Sequence, residues 1–159
     1  MSFLIRKAVA ADARSIFELR QRAIWTKCAA DYSQAQLALW TQGEMSARFI
    51  ADVERAFFVA ESEQRVIASG MINVDDGMVD AIFVVPEFMG QGVAQAMLRH
   101  LEQLAREAGL PAMKLDSTLN AAAFYRRCGF VGDEISVYES PGGLQLACIP
   151  MEKSLLSTL

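Results

Sequence analysis

VVPEFMGQGVAQAMLRHLE (residues 84–102) is the most informative stretch of the chain, because an apolar strand, a Gly-x-Gly loop and an amphipathic helix follow one another without a break. From Val93 to Ala108 the apolar residues recur at helical spacing and form one stripe. Gly90 and Gly92 carry no side chains, so their backbone amides can approach an anion closely. The positive end of the helix dipole lies at the same place. The stretch therefore predicts a site for a phosphate or a diphosphate.

The loop alone is also compatible with an ordinary tight turn at the start of a helix. Two better-known phosphate motifs do not apply. A dinucleotide-binding fingerprint needs a third glycine where Gln95 stands, and a P-loop needs Gly-Lys-Ser/Thr.

The sequence on either side predicts a mixed α/β (α+β) domain of three layers that spans residues 1–159. Before the loop, three runs rich in β-branched and aromatic residues predict sequential antiparallel strands over residues 57–62, 65–74 and 78–85. Earlier still we expect a strand over residues 3–8 and three helices: one capped by Asp12 and running to Lys27, one with a Ser33/Gln36 capping box and ended by Gly43, and one over residues 46–54. After the long helix we expect a strand over residues 111–117, a helix over 121–128, and strands over 130–138 and 144–152 around a turn at 140–143.

Composition excludes several classes of protein. The net charge of −4 and the lack of a basic cluster argue against nucleic acid as a partner. Three cysteines in no paired pattern predict neither disulfides nor a metal site. No apolar run approaches 18 residues, and charged residues interrupt the N-terminal segment, so we expect no membrane span, no signal peptide and a cytoplasmic location. The mean hydropathy of +0.21 indicates either an apolar groove or a subunit interface such as that of a homodimer.

A second stretch, STLNAAAFYRRCGF (residues 117–130), has the pattern of a strand end, a short helix, a glycine and an aromatic residue. Together the two stretches resemble the GNAT superfamily of acetyl-CoA-dependent N-acetyltransferases, in its small bacterial single-domain form. The family's loop, Gln/Arg-x-x-Gly-x-Gly/Ala, is matched by residues 89–94, and its later block is matched by Asn120, Phe124, Tyr125, Gly129 and Phe130. The first and last residues of the chain are similar to the family's ends, so the resemblance covers nearly the whole chain. Met89 stands where the family usually has Gln or Arg, which predicts weaker cofactor binding.

The resemblance implies a largely antiparallel central sheet with splayed fourth and fifth strands, helices on both faces, and acetyl-CoA as cofactor. It also implies roles for particular residues. The diphosphate would lie on Met89, Gly90, Gln91, Gly92, Val93 and Ala94, and the pantetheine arm on the main chain of Phe83, Val84 and Val85 and on Phe124. Asn120 either contacts pantetheine or caps the next helix. Tyr125 either donates a proton to the leaving sulfur or is a half-buried ring packed beside Phe124 and Phe130.

The acceptor side is less clearly marked in the sequence. Asp80 is alone in an apolar strand, where strict alternation places it on the face of Ile82 and Val84; it is either the general base or an exposed carboxylate. His100 is expected at the surface. Trp25, Tyr32 and Trp40 either belong to the core or line an acceptor pocket.

We therefore expect an N-acetyltransferase that moves an acetyl group directly from acetyl-CoA to a primary amine of a small molecule. The alternative is a weakly active or inactive acyl-CoA-binding sensor of the same fold.

Overall fold

The computed structural model describes residues 2–140 and 143–156. The strands are β1 (Leu4–Lys7), β2 (Phe57–Ser62), β3 (Arg65–Ile72), β4 (Val79–Val84), β5 (Ala112–Ser117), β6 (Ser136–Glu139) and β7 (Gln145–Ser154). The helices are α1 (Ala13–Lys27), α2 (Gln34–Trp40), α3 (Ala47–Ala56), α4 (Val93–Glu107) and α5 (Ala122–Arg127). The predicted order of elements and the mixed α/β class are confirmed.

The strands form two antiparallel sheets that meet at one point. The first sheet has the order β1-β2-β3-β4, and the second has the order β5-β7-β6. Within the described residues the two sheets are joined only by a parallel bridge between Met78 and Lys114, where the Lys114 amide donates to the Gly77 carbonyl at 2.9 Å. Beyond this bridge β4 and β5 diverge towards their C-terminal ends. The expected splay of the fourth and fifth strands is thus present, and it opens a gap in the middle of the molecule.

Helices cover both faces of the first sheet. On one face, buried side chains of α4 such as Met97 and Leu101 pack on β3 and β4. Gly70 of β3 permits this approach, because a Cβ there would lie 2.6 Å from Met97 Cγ. On the other face, Ile16 of α1 and Val53 of α3 are fully buried against β2 and β3. No helix in the described residues is long and apolar enough to span a bilayer.

A bulge in β4 interrupts the ladder with β3. Ser69 pairs with Phe83 and Met71 pairs with Asp80, so β4 has one more residue than β3 between these pairs. Ala81 lies in the bulge with a φ of +59°, an uncommon value for a residue with a side chain. The Ser69 hydroxyl donates to the Ala81 carbonyl at 2.8 Å and holds the bulge in place.

The bulge corrects the predicted orientation of Asp80. Residues that pair across antiparallel strands point to the same face. Because Met71 and Ser69 lie on one face of β3, their partners Asp80 and Phe83 share that face, which is covered by α1. Strict alternation, which grouped Asp80 with Ile82 and Val84, fails at the extra residue.

Capping was predicted correctly for α2 but not for α1. The Ser33 hydroxyl accepts from the Gln36 amide at 3.1 Å, and Gln36 Oε1 accepts from the Ser33 amide at 2.9 Å. Asp12, by contrast, does not cap α1 with its side chain: its carboxylate accepts from the Val9 amide and from Arg6.

Three further details differ from the predictions. α2 ends at Trp40, three residues before Gly43. β6 begins at Ser136 instead of residue 130, because the chain from residue 132 to 135 makes no ladder. His100 is half-buried against Phe58, with ring centroids 4.6 Å apart, and is not a surface residue. Residues 141–142 of the predicted turn lie outside the described part of the chain.

Candidate active site

A cavity of about 1230 Å³ passes through the gap between β4 and β5. Its first half lies at the start of α4 and is closed on one side by α5, and its second half lies beneath α1 and α3. Many of the residues that line the first half were predicted from the sequence: Val84, Met89, Gly90, Gly92, Val93, Ala94, Asn120, Phe124 and Tyr125. The cavity therefore brings together the two stretches of sequence that carry the resemblance.

The loop before α4 presents free amides to the first half of the cavity. Gly90 and Gly92 have φ values of +75° and +82°, and a Cβ at either position would meet nothing within 4 Å. The first intrahelical bond of α4 runs from the Ala96 amide to the Gly92 carbonyl, so the preceding amides point outwards. Among the described residues, no acceptor contacts the amides of residues 90–92. The loop has the geometry of an anion cradle, with the positive end of a 15-residue helix behind it.

Two loop side chains turn away from this cradle. Gln91 donates through Nε2 to the Glu87 carbonyl at 3.2 Å, and Met89 packs against the main core. A ligand of this loop would therefore be held by backbone amides. Met89 stands where the family usually has a polar side chain, and the amide donors do not depend on that side chain.

The edge of β4 offers one main-chain group to the gap. The Val85 amide donates to the Ile67 carbonyl at 2.9 Å, and Val85 does not line the cavity. Successive amides of a strand point to opposite sides, so the Val84 amide points away from β3 and towards the gap. Of the three residues predicted to hold a ligand through their main chain, Val84 is the one with a free edge, and Phe83 contributes its side chain to the cavity wall.

Asn120 has a buried polar atom without a partner. Its Oδ1 accepts no hydrogen bond in the described part of the chain, and the residue lines the cavity. It does not cap α5, whose N-cap is Ala121 and has no side-chain bond. Since an unsatisfied buried carbonyl is costly, this atom is suited to accept from an amide N–H of a ligand.

Tyr125 lies where the two halves of the cavity meet. Its ring makes edge contacts with Phe124 and Phe130, at centroid distances of 5.2 and 5.8 Å, so the packing alternative is correct as far as the ring is concerned. Its hydroxyl makes no hydrogen bond within the described residues. Burial, with a smaller contribution from the nearby Asp80 charge, raises the pKa of Tyr125 well above its usual value. The phenol therefore stays protonated at neutral pH and is free to donate.

Asp80 is exposed, as the second alternative expected, and it faces the second half of the cavity. Its Oδ1 accepts from the Ala81 amide at 2.7 Å, a bond that the bulge makes possible. Desolvation raises the pKa of Asp80, and the nearby Asp116 adds to the effect, while the Ala81 amide and Arg20 oppose it. A carboxylate with a raised pKa and an open second oxygen can accept a proton from a bound molecule.

The predicted aromatic residues divide into two kinds. Tyr32 and Trp40 line the cavity and contact each other with centroids 5.7 Å apart. The Tyr32 hydroxyl is also structural, since it donates to the Ala147 carbonyl at 2.5 Å and accepts from the Leu119 amide at 3.1 Å. Trp25 does not line the cavity: it is 41% exposed and donates to Thr41 Oγ1 on the outer side.

Several polar residues of the cavity wall were missed by the sequence analysis, among them Lys27 at the end of α1 and Asp52 of α3. Arg20 of α1, Asp116 of β5 and Tyr138 of β6 line the cavity near Asp80. None belongs to a motif, and Arg20 is one of several charged residues on an amphipathic helix. The sequence offered an indication for Asp116 alone, because this carboxylate lies at the end of the apolar strand that follows the long helix. The described residues include no cluster of three or more His, Cys, Asp or Glu side chains suited to a metal.

The comparisons with known proteins agree with this geometry. The family model "Acetyltransferase (GNAT) family" matches residues 10–130. This chain belongs to the GNAT acetyltransferase family. Among curated relatives of this GNAT chain, the aminoglycoside N(6')-acetyltransferase type 1 of Stenotrophomonas maltophilia is 30% identical over 129 residues, which cover 69% of the chain and 84% of the relative.

Solved structures share the fold over nearly the whole GNAT chain. A GCN5-related N-acetyltransferase from Rhodopseudomonas palustris superposes with a TM-score of 0.88 at 24% identity, covering 98% of this chain and 97% of that one. The PaiA N-acetyltransferase of Thermoplasma acidophilum, solved in complex with coenzyme A, has a TM-score of 0.75 at 19% identity, with 97% and 99% covered. At these identities the likeness concerns the fold alone. The chain matches only 43% to 54% of the length of the first three curated relatives.

Proposed function

We propose that this GNAT protein transfers an acetyl group from acetyl-CoA to the primary amine of a small molecule by direct transfer. The observation that carries the proposal is the continuous cavity, which runs from the anion cradle at the start of α4, past Tyr125, to Asp80. Such a passage lets a donor and an acceptor enter from opposite sides and meet at the gap between β4 and β5.

The residues of the first half fit acetyl-CoA. The amides of residues 90–94 and the dipole of α4 suit a diphosphate, and the unpartnered Asn120 Oδ1 suits an amide N–H of the pantetheine arm. The Val84 amide, at the free edge of β4, suits a carbonyl oxygen. Acetyl-CoA supplies the acetyl group as a thioester, which is activated towards amines. The complex of the PaiA relative with coenzyme A supports this assignment.

Three groups of the chain carry the proposed chemistry. An alkyl amine with a pKa near 10.4 is almost entirely protonated at pH 7, so Asp80 accepts its proton. The Val84 amide donates to the oxygen on which negative charge develops. The Tyr125 hydroxyl, kept protonated by its burial, donates to the departing sulfur.

The alternative, an acyl-CoA sensor without turnover, has less support. It was based on Met89 and on the uncertain identity of the general base. Met89 packs against the core, however, and the loop amides remain free. The matched relative is named an acetyltransferase as well.

The experiment that tests the proposal is steady-state thiol release from acetyl-CoA across a panel of amines. We expect release that depends on the acceptor and a matching acetylated product. Binding of acetyl-CoA without release by any amine would favour the sensor and contradict the proposal.

A further inference from the structure

Arg20 is a half-buried charge without an ion-pair partner among the described residues. Of the described arginines, only Arg6 and Arg20 are half-buried. Arg6 is neutralised by Asp12, with two hydrogen bonds of 2.8 and 3.0 Å. Arg20 makes no ion pair within the described residues, and its single hydrogen bond is a long one of 3.4 Å to Oε1 of its neighbour Gln21. A half-buried guanidinium that lines a cavity and has no carboxylate partner is available to pair with an anionic group of a ligand.

The place of Arg20 identifies the ligand as the acceptor. Its side chain lines the second half of the cavity, on the α1 side, across from Asp80. The two groups are near enough to influence each other's pKa but do not form an ion pair. Asp80 is instead held by the Ala81 amide at 2.7 Å. A guanidinium without an ion-pair partner and a carboxylate with one open oxygen thus face the same part of the cavity.

We propose that the acceptor is amino-acid-like, with a carboxylate that pairs with Arg20 and a nearby amine that lies at Asp80. This inference rests on the proposed function and specifies its substrate class. A bidentate pair with a carboxylate is the geometry that guanidinium favours. The apolar remainder of this half, with Phe49 and Met71, suits an apolar side chain on the acceptor.

A carboxylate fits better than a phosphate. Arg20 is the cation whose charge acts on both Asp80 and Tyr138, and Asp116 is a second carboxylate that acts on them. A dianionic group would leave one negative charge unmatched beside two carboxylates, whereas a carboxylate is matched by a single guanidinium.

The experiment compares acceptors that differ only in the carboxylate. Apolar L-amino acids, their carboxamides, the corresponding decarboxylated amines and the aminophosphonate analogues are each tested with acetyl-CoA, alongside an aminoglycoside. We expect kcat/KM for the amino acid to exceed that of its decarboxylated amine roughly ten- to hundredfold, mainly through KM. The aminophosphonate should be a poorer acceptor than the amino acid.

Substitutions of Arg20 test whether this residue causes the preference for the amino acid over its decarboxylated amine. In Arg20→Gln the ratio of kcat/KM between amino acid and amine should fall to near one, and Arg20→Lys should restore part of it. Because the ratio is compared between variants, the intrinsic difference in amine pKa cancels. Arg14→Gln, at an exposed position of the same helix, should leave the ratio and the thermal stability unchanged.

Several results would overturn the inference. A wild-type ratio near one, a preference for the aminoglycoside or the aminophosphonate, or a ratio preserved in Arg20→Gln would each do so while leaving the proposed function intact. If Arg20→Gln does not fold, the ratio of kcat/KM in the wild type and in Arg20→Lys still tests the inference. If no amine of any kind releases thiol from bound acetyl-CoA, the proposed function fails and the inference fails with it.

Discussion

Two tyrosines near the cavity show how surroundings determine the role of a residue. Tyr32 uses its hydroxyl fully, between the Ala147 carbonyl and the Leu119 amide, and so ties the region after α1 to β7 and to the end of β5. Tyr125 has a hydroxyl without a partner in the described residues and a pKa raised by burial. The first tyrosine is therefore expected to stabilise the fold and the second to take part in the chemistry. Removing either hydroxyl tests this difference.

Tyr125→Phe should lower kcat roughly a hundredfold, because the departing sulfur loses its proton donor. The Kd for acetyl-CoA, measured by calorimetry, should change little, since the ring and its contacts with Phe124 and Phe130 are kept. An unchanged kcat would remove Tyr125 from the mechanism.

Tyr32→Phe, the matched variant, should lower the free energy of unfolding by about 1–3 kcal/mol, because it leaves the Leu119 amide and the Ala147 carbonyl without a partner. Its kcat should stay within a few-fold of wild type at a temperature where the protein is folded. Chemical denaturation measures the first effect and thiol release the second. Wild-type stability together with a large loss of kcat would reverse the two roles.

Asp80 should determine the acidic limb of the pH profile. Its pKa is raised by desolvation, so it binds a proton as the pH falls through a value above that of an ordinary aspartate, and kcat/KM should decrease there. Asp80→Asn should lose this limb and lower kcat/KM by about two orders of magnitude or more. Asp75→Asn, in an exposed turn, is the control. A limb that persists in Asp80→Asn would assign the base elsewhere.

At the scale of elements, the loop before α4 and the bulge of β4 create the site. The loop was predictable, because paired glycines at the start of a long amphipathic helix have a clear physical meaning. The splay and the roles at the gap were available only through the family resemblance. The bulge was not predictable: Ala81 is an ordinary residue in a run of apolar ones, and its positive φ depends on the Ser69 hydroxyl from the neighbouring strand.

That one extra residue explains most of what was missed at the site. The extra residue turns Asp80 towards α1. Only in that orientation does Asp80 lie close enough to Arg20 for the two charges to interact. Periodicity within a segment predicts which residues are buried together, as it did for α4. It does not predict which of several charged residues on a helix faces a cavity, because that depends on how separate elements pack.

Gly92→Glu should raise the Kd for acetyl-CoA at least tenfold, because it places bulk and negative charge in the anion cradle. Gly43→Glu is a close control: both glycines have positive φ, +82° and +92°, and a Cβ added at either position would meet no atom within 4 Å. The backbone strain of the two variants should thus be similar, about 1 kcal/mol. Equal affinities would refute the assignment of the loop.

At the scale of the whole molecule, the two sheets and their covering helices leave one cavity that holds both halves of the site. The proposed direct transfer is compatible with this arrangement, since no covalent relay is needed between donor and acceptor. Cys128 also lines the cavity, but burial raises the pKa of its thiol, which makes it a poor nucleophile at neutral pH. The proposed mechanism therefore requires both substrates to be bound at once.

The most direct test is an initial-rate study in which acetyl-CoA and the best amine are both varied, together with the intact mass of the protein after incubation with acetyl-CoA alone. Direct transfer predicts intersecting double-reciprocal lines, no acetylated protein, and the same behaviour in Cys128→Ala. Parallel lines with an acetyl group on the protein would contradict it.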